Sequence, residues 1–105
     1  MTDLSLAGFV GLSAALLGIG LFGILTRRNF ILLLIAIEIA MNAAILNFVY
    51  FAAYAGTGGG LSAQSAAIVI TGLAATEVAV GLAIVLALNR QRGSINVAEA
   101  TELRL

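Results

Sequence analysis

The sequence predicts an all-α fold: an integral membrane bundle of three transmembrane helices, with the N-terminus outside and the C-terminus in the cytoplasm. Three observations carry this. Of the 105 residues, 62% are hydrophobic and 10% are charged, whereas soluble domains carry about 25% charged residues. The uncharged runs are long, and about 18 or more consecutive apolar residues mark a candidate span. The arginines gather at one side of those runs, and basic residues mark the cytoplasmic side of a span. The whole chain, 1–105, is expected to form a single membrane domain, with helices at about 4–26, 29–54 and 62–89 and a short polar tail, 90–105.

Leu4 to Thr26 is uncharged for about 23 residues, enough to cross about 30 Å of hydrocarbon. The N-terminus carries Asp3 in place of a basic leader, and the apolar run is longer than a signal-peptide core, so a retained first span is expected. Arg27 and Arg28 end it. The second run, from Asn29 to about Tyr54, is broken only by Glu38. AGTGGGLSAQ follows, a glycine-rich connector with the composition of a turn. The third run, Ser62 to Asn89, is broken only by Glu77. In the tail, Asn96 and Glu99 have the spacing of a weak helix cap.

Arg27 and Arg28 lie between the first two helices, and Arg90 and Arg92 follow the third. The positive-inside rule places both segments in the cytoplasm, and an odd number of spans satisfies it. Tyr50 and Tyr54 then fall at the outer end of the second helix, where interfacial aromatics belong.

Composition excludes much chemistry. The chain has no cysteine, histidine or lysine. That removes thiol chemistry, Cys or His metal sites, haem ligation by His, histidine-based triads and Schiff bases. No basic block invites nucleic acid.

What remains is two carboxylic acids inside helices. A charged side chain at the bilayer centre costs about 2.5–3.5 kcal/mol. At about 1.5 Å per residue, Glu38 lies roughly 14 Å from the cytoplasmic end of its helix and Glu77 roughly 20 Å from that side. Both are near mid-membrane, at different heights. On antiparallel neighbours packed at about 8–10 Å, their carboxyls are expected on the order of 10 Å apart. That spacing is too long for a hydrogen bond and suits a short water chain.

Burial favours the neutral form of a carboxyl, and a nearby cation favours the charged form. An acid poised between the two takes up and releases protons, so Glu38 and Glu77 are candidate stations on a proton path. At 100° per residue, Asn42 and Ile45 share the Glu38 face, with Ala36, Ala40, Ala43 and Asn47 opposite. Ala74 and Gly81 lie near Glu77, with Gly72, Ala75, Ala79 and Ala83 on the far side. Small residues let membrane helices approach closely. Neither face suits lipid, so the chain is expected to be buried among other membrane subunits. A structural alternative is that both acids are neutral and hold the bundle together. Asn42 and Asn47 then read as interhelical hydrogen-bonding groups. Thr71 and Thr76 bond their own backbone, the glycines of the first helix pack, and Arg27 and Arg28 set topology.

The strings TRRNFILLLIAIEIAMNAAILNFV and AATEVAVGLAIVLALNRQRGSINV closely resemble subunit K of bacterial respiratory complex I, the NADH–quinone oxidoreductase, whose mitochondrial relative is subunit 4L. The likeness covers nearly the whole chain. It includes the Arg-Arg-Asn turn, Glu-x-x-x-Asn-Ala from Glu38 to Ala43, Glu-x-x-x-Gly-Leu from Glu77 to Leu82, and Ile95–Asn96. Two positions depart from the family pattern: Thr76, where many members carry alanine, and Ile45, where some carry asparagine.

The resemblance implies a non-redox subunit of a proton-translocating enzyme, not catalytic alone, in the bacterial inner membrane. It would lie between the quinone-proximal and antiporter-like subunits of the membrane arm. Glu38 and Glu77 would be proton-relay residues, supported by Asn42, Arg27 and Arg28. No cofactor is expected in this chain; flavin, iron–sulfur clusters and quinone are expected elsewhere in the complex. The competing identity is the small three-helix subunit of multisubunit sodium/proton antiporters. Small multidrug transporters and rotor subunits fit less well, because their span counts and acid positions differ.

Overall fold

The computed structural model describes residues 3–54, 56–93 and 97. It contains three helices: α1 (Asp3–Thr26), α2 (Phe30–Tyr54) and α3 (Gly56–Arg92). Each is long and apolar enough to cross a membrane, over Ser5–Thr26, Phe30–Tyr54 and Gly59–Gln91. Large hydrophobic side chains stay exposed around the helices, among them Phe22, Leu25, Ile68 and Leu86. A helix apolar on all sides is a core or membrane element, and the described residues form no core large enough to cover these.

Local chemistry sets the helix ends. Asn29 caps α2: its side-chain oxygen accepts from the Ile31 N–H at 2.9 Å and the Leu32 N–H at 3.4 Å. Those are donors the helix itself cannot satisfy. At the far end of α3, Gly93 takes φ +68° and its N–H donates to the Asn89 carbonyl at 2.8 Å. This left-handed glycine closes the helix just beyond Arg92. The Val97 N–H then donates to the Arg28 carbonyl at 2.7 Å. The tail is thereby tied to the α1–α2 turn, and Arg27, Arg28 and Arg90 share one end of the bundle. The Asn96–Glu99 cap lies outside the described residues.

The glycine-rich connector differs from expectation. Residues 56–61 are the first turns of α3, which is 37 residues long. Glycine is a poor helix former, by about 1 kcal/mol relative to alanine. At about 1.5 Å per residue α3 is about 55 Å long, so these first turns extend beyond roughly 30 Å of hydrocarbon. Gly60 also permits a close approach: a Cβ there would stand 2.7 Å from the Ala52 carbonyl oxygen.

α2 is the central helix, with α1 on one side and α3 on the other. The three lie side by side in a slab of 55 × 24 × 18 Å. Against α1, Ala36, Ala43 and Tyr50 are buried at a seven-residue spacing. A Cβ on Gly20 would fall 2.8 Å from the Ala40 nitrogen and 2.9 Å from the Ala36 oxygen, and one on Gly23 would fall 2.6 Å from the Ala36 Cβ. This is close packing through small residues, the expected use of that alanine face. A Cβ on Gly8, Gly11 or Gly18 would meet nothing within 4 Å among the described residues, so two of the α1 glycines, Gly20 and Gly23, serve this contact.

Tyr50 also departs from expectation. It is 2% exposed and stacks on Phe9, with ring centroids 4.6 Å apart. It belongs to the α1–α2 seam, while Tyr54 remains exposed.

Because Gly20 faces backbone that cannot rotate away, Gly20→Ala should destabilise the α1–α2 pair by about 1–3 kcal/mol. Gly18→Ala, in open space, should be neutral. Thermal melts of the two variants in detergent, followed by circular dichroism, compare them directly.

Candidate functional site

The site is built on the α2–α3 seam. On α3 its centre line is Ala67, Ala74 and Val85, all buried. Leu34 of α2 projects across it onto Gly81, where a Cβ would collide with the Leu34 methyls. This contact fixes the register of the two antiparallel helices. Glu38 lies one turn beyond Leu34, and Glu77 one turn before Gly81, which on antiparallel helices is the same direction. Each is about 6 Å along its helix from that contact. The two acids therefore stand at about the same height. The offset expected from the arginines disappears because α3 runs past the start of α2, so Arg90 does not mark the level of Asn29.

The acids open on opposite sides of the seam. Glu38 is half-buried. It is the one polar residue of a cleft of about 340 Å³ lined by Ile31, Leu34, Ile35, Ile39, Val78 and Leu82. Glu77 is exposed, in a wider groove of about 620 Å³ with Leu34, Met41, Thr76, Val80, Gly81 and Ile84 among its walls. Leu34 is common to both linings. Among the described residues, neither carboxyl has a hydrogen-bond or ion-pair partner.

The other polar residues are disposed differently. Thr71 and Thr76 donate to their own helix, to the Ala67 carbonyl at 2.7 Å and the Gly72 carbonyl at 2.9 Å. They are thus satisfied locally, as expected. Asn42 is exposed one turn beyond Glu38 and does not line its cleft. Ile45 lines a third cleft, further along the same side, with Gln64 and Thr71. Arg27 stands at the end of a groove between α1 and α2 with Ile19, Phe22, Ile35 and Ile39. Ile35 and Ile39 separate that groove from the Glu38 cleft. The structure thus pairs the two acids across Leu34 and leaves the arginines and Asn42 apart from them.

Sequence reasoning placed the acids and missed Leu34. An aliphatic residue four positions before an acid is unremarkable in a sequence this apolar. The usable signal was Gly81, four positions after the other acid, which leaves space for a side chain from a neighbour.

A water occupies about 30 Å³ in the liquid, so each cleft has room for a short water chain. The wall of the Glu38 cleft is wholly apolar and holds no water by itself. The far side of α3, with Ala75, Ala79 and Ala83, is exposed and has the small side chains that a closely packed neighbouring helix requires.

The chain has well-matched relatives. A family model described as NADH-ubiquinone/plastoquinone oxidoreductase chain 4L matches residues 9–105. A protein of Anaeromyxobacter sp. (strain K), named NADH-quinone oxidoreductase subunit K, is 44% identical over 95 residues, which is 90% of this chain and 93% of the relative. NADH-quinone oxidoreductase subunit 11 of Thermus thermophilus is 46% identical over 93 residues, covering 88% and 93%. Subunit K of a Geobacillus species is 39% identical over 104 residues, covering 99% of each chain.

The open groove at Glu77 generates a labelling prediction. The chain has no cysteine, so Val80→Cys, at a position 55% exposed, gives it a single thiol. A membrane-permeant maleimide should label it readily in the separated chain and at least about tenfold more slowly in an intact assembly that covers the groove. Equal rates in both would mean that no partner seats there.

Proposed function

The chain belongs to the NADH-ubiquinone/plastoquinone oxidoreductase chain 4L family, and from that membership we propose that it is a membrane subunit of a proton-pumping NADH–quinone oxidoreductase in which Glu38 and Glu77 relay protons. The observation carrying the relay is the placement of two carboxyls without partners among the described residues, at one height, on opposite sides of a single helix seam. An acid kept only to hold the bundle together would bond a neighbouring helix of the same bundle, and among the described residues neither does.

The chain does no redox chemistry. Flavin, iron–sulfur clusters and quinone belong to other subunits, and cysteine and histidine, the usual protein ligands of iron–sulfur clusters, are missing here. Reduction of quinone elsewhere changes charge and hydration beside the clefts. A neighbouring charge or a change in solvation moves the balance between the acid and its carboxylate. A proton then leaves one carboxylic acid through water and is taken up by the next carboxylate along the arm.

In the bacterial inner membrane the arginine end faces the cytoplasm, and the N-terminus lies outside. Quinone-proximal and antiporter-like subunits cover the broad faces of the slab. Arg27 and Arg28 contact partners or headgroups at the cytoplasmic surface, and Asn42, exposed one turn beyond Glu38, supports the relay by hydrogen bonding to a neighbouring subunit.

Glutamine keeps the shape of glutamate and removes its titration. Glu38→Gln should assemble and lower proton pumping on the order of tenfold or more, measured by dye quenching in inverted vesicles driven by NADH. Glu77→Gln should have a smaller effect, because its groove is open to a bypassing water chain. A fully assembled Glu38→Gln complex that pumps normally would falsify the relay. Flavin and iron–sulfur absorbance co-purifying with the tagged chain separates this reading from a sodium/proton antiporter subunit, which has neither.

A further inference from the structure

We propose that Leu34, seated on Gly81, is a hydrophobic gate that separates the water around Glu38 from the water around Glu77; this rests on the reading of the two acids as proton stations. Leu34 belongs to the walls of both clefts. Its tip occupies the space that any side chain at position 81 would fill: a Cβ there would lie 2.9 Å from Cδ1 and 3.2 Å from Cγ. Leu34 and Gly81 each stand one helical turn from an acid, in the same direction along the bundle.

A constriction formed by aliphatic side chains excludes water and blocks proton passage without any charged barrier. A leucine tip turns between rotamers without breaking a hydrogen bond, so the wall opens by a side-chain movement alone. With Leu34 seated, the two clefts stay separate. With Leu34 turned out, water joins them and a proton passes from one carboxylic acid to the other carboxylate, leaving the total charge of the pair unchanged. The function of such a gate is timing: exchange between the faces occurs in one state of the cycle and not in the others. Leu34 is thus a positioning residue for water, and it touches no transferred proton itself.

The test uses the assembled complex in sealed vesicles and reads protons moved per electron, a ratio independent of turnover speed. Leu34→Ala opens the wall permanently, and Leu34→Val shortens it while keeping most of the packing. Leu34→Met keeps the volume. The ratio should fall from wild type through Val to Ala, with Met restoring it. Hydrogen–deuterium exchange of the Glu38 carboxyl, followed by infrared difference spectroscopy against Glu38→Gln, should quicken in the same order. A purely structural leucine would lower assembly without changing the ratio or the exchange rate of the complexes that do form. If Leu34→Ala fails to assemble, the Val variant decides. A wild-type ratio and exchange rate in the smallest variant that assembles overturns the gate, provided Glu38→Gln has lost pumping. Normal pumping by Glu38→Gln overturns the relay first, and the gate with it.

Discussion

Hydrocarbon offers no hydrogen-bonding partner, and most of this structure follows from that. Backbone groups must be paired within their own segment, and each of the three spans is a continuous helix. Five hydroxyls obey the same rule: Ser13, Thr26, Ser65, Thr71 and Thr76 each donate to a carbonyl of their own helix, whereas the buried Tyr50 hydroxyl has no partner among the described residues. Against this background of local satisfaction, Glu38 and Glu77, with the Tyr50 hydroxyl, are exceptions among the described residues. A membrane helix carries an unpaired acid at a cost in stability, so the explanation has to come from outside the chain.

Packing shows how little this chain stabilises by itself. Between membrane helices there is no hydrophobic driving force, because lipid tails are as apolar as leucine, and association rests on van der Waals contact. The chain uses two forms of it. At the α1–α2 seam, Gly20 and Gly23 let the α1 backbone approach Ala36 and Ala40 directly. At the α2–α3 seam a large side chain enters a gap left by glycine, Leu34 against Gly81. The first contact is rigid, since backbone meets backbone. The second ends on a side chain with rotamers to spare. α2 therefore has a fixed side and an adjustable side, and Glu38 projects beside the adjustable one.

The sequence made the coarse architecture legible because charge is so scarce: five basic and five acidic residues in 105 divide it into spans almost unaided. The span count, the alanine face of α2 and the self-satisfied threonines followed from periodicity and hydrogen-bonding capacity. The end of α3 was legible in principle, since Gly93 after Arg92 is an ordinary stop signal, and Asn29 before an apolar run is an ordinary cap. The glycine-rich segment was misread because glycine's turn propensity is only a local preference, and α3 continues through it as helix. The heights of the acids were misread for a different reason. Arginines mark a surface, whereas register is set by which side chain fills which gap, and that is a property of two helices together. Tyr50 shows the same limit: an interfacial position along the helix says nothing about which way the ring turns.

That the acids share a height but not a side has a consequence for design. A bundle with both carboxyls in one cavity would couple them strongly, because like charges a few ångströms apart resist joint ionisation. Loading one would then unload the other regardless of anything outside. Separated by a seam of apolar side chains, each acid responds first to the partner surface on its own side, and to its twin only through the wall. A slab one helix thick is the smallest body that can face two partners while keeping its titratable groups on different surfaces. Three helices suffice because α2 contributes to both clefts, α1 braces it from behind, and α3 supplies the second acid together with the glycine that seats the wall.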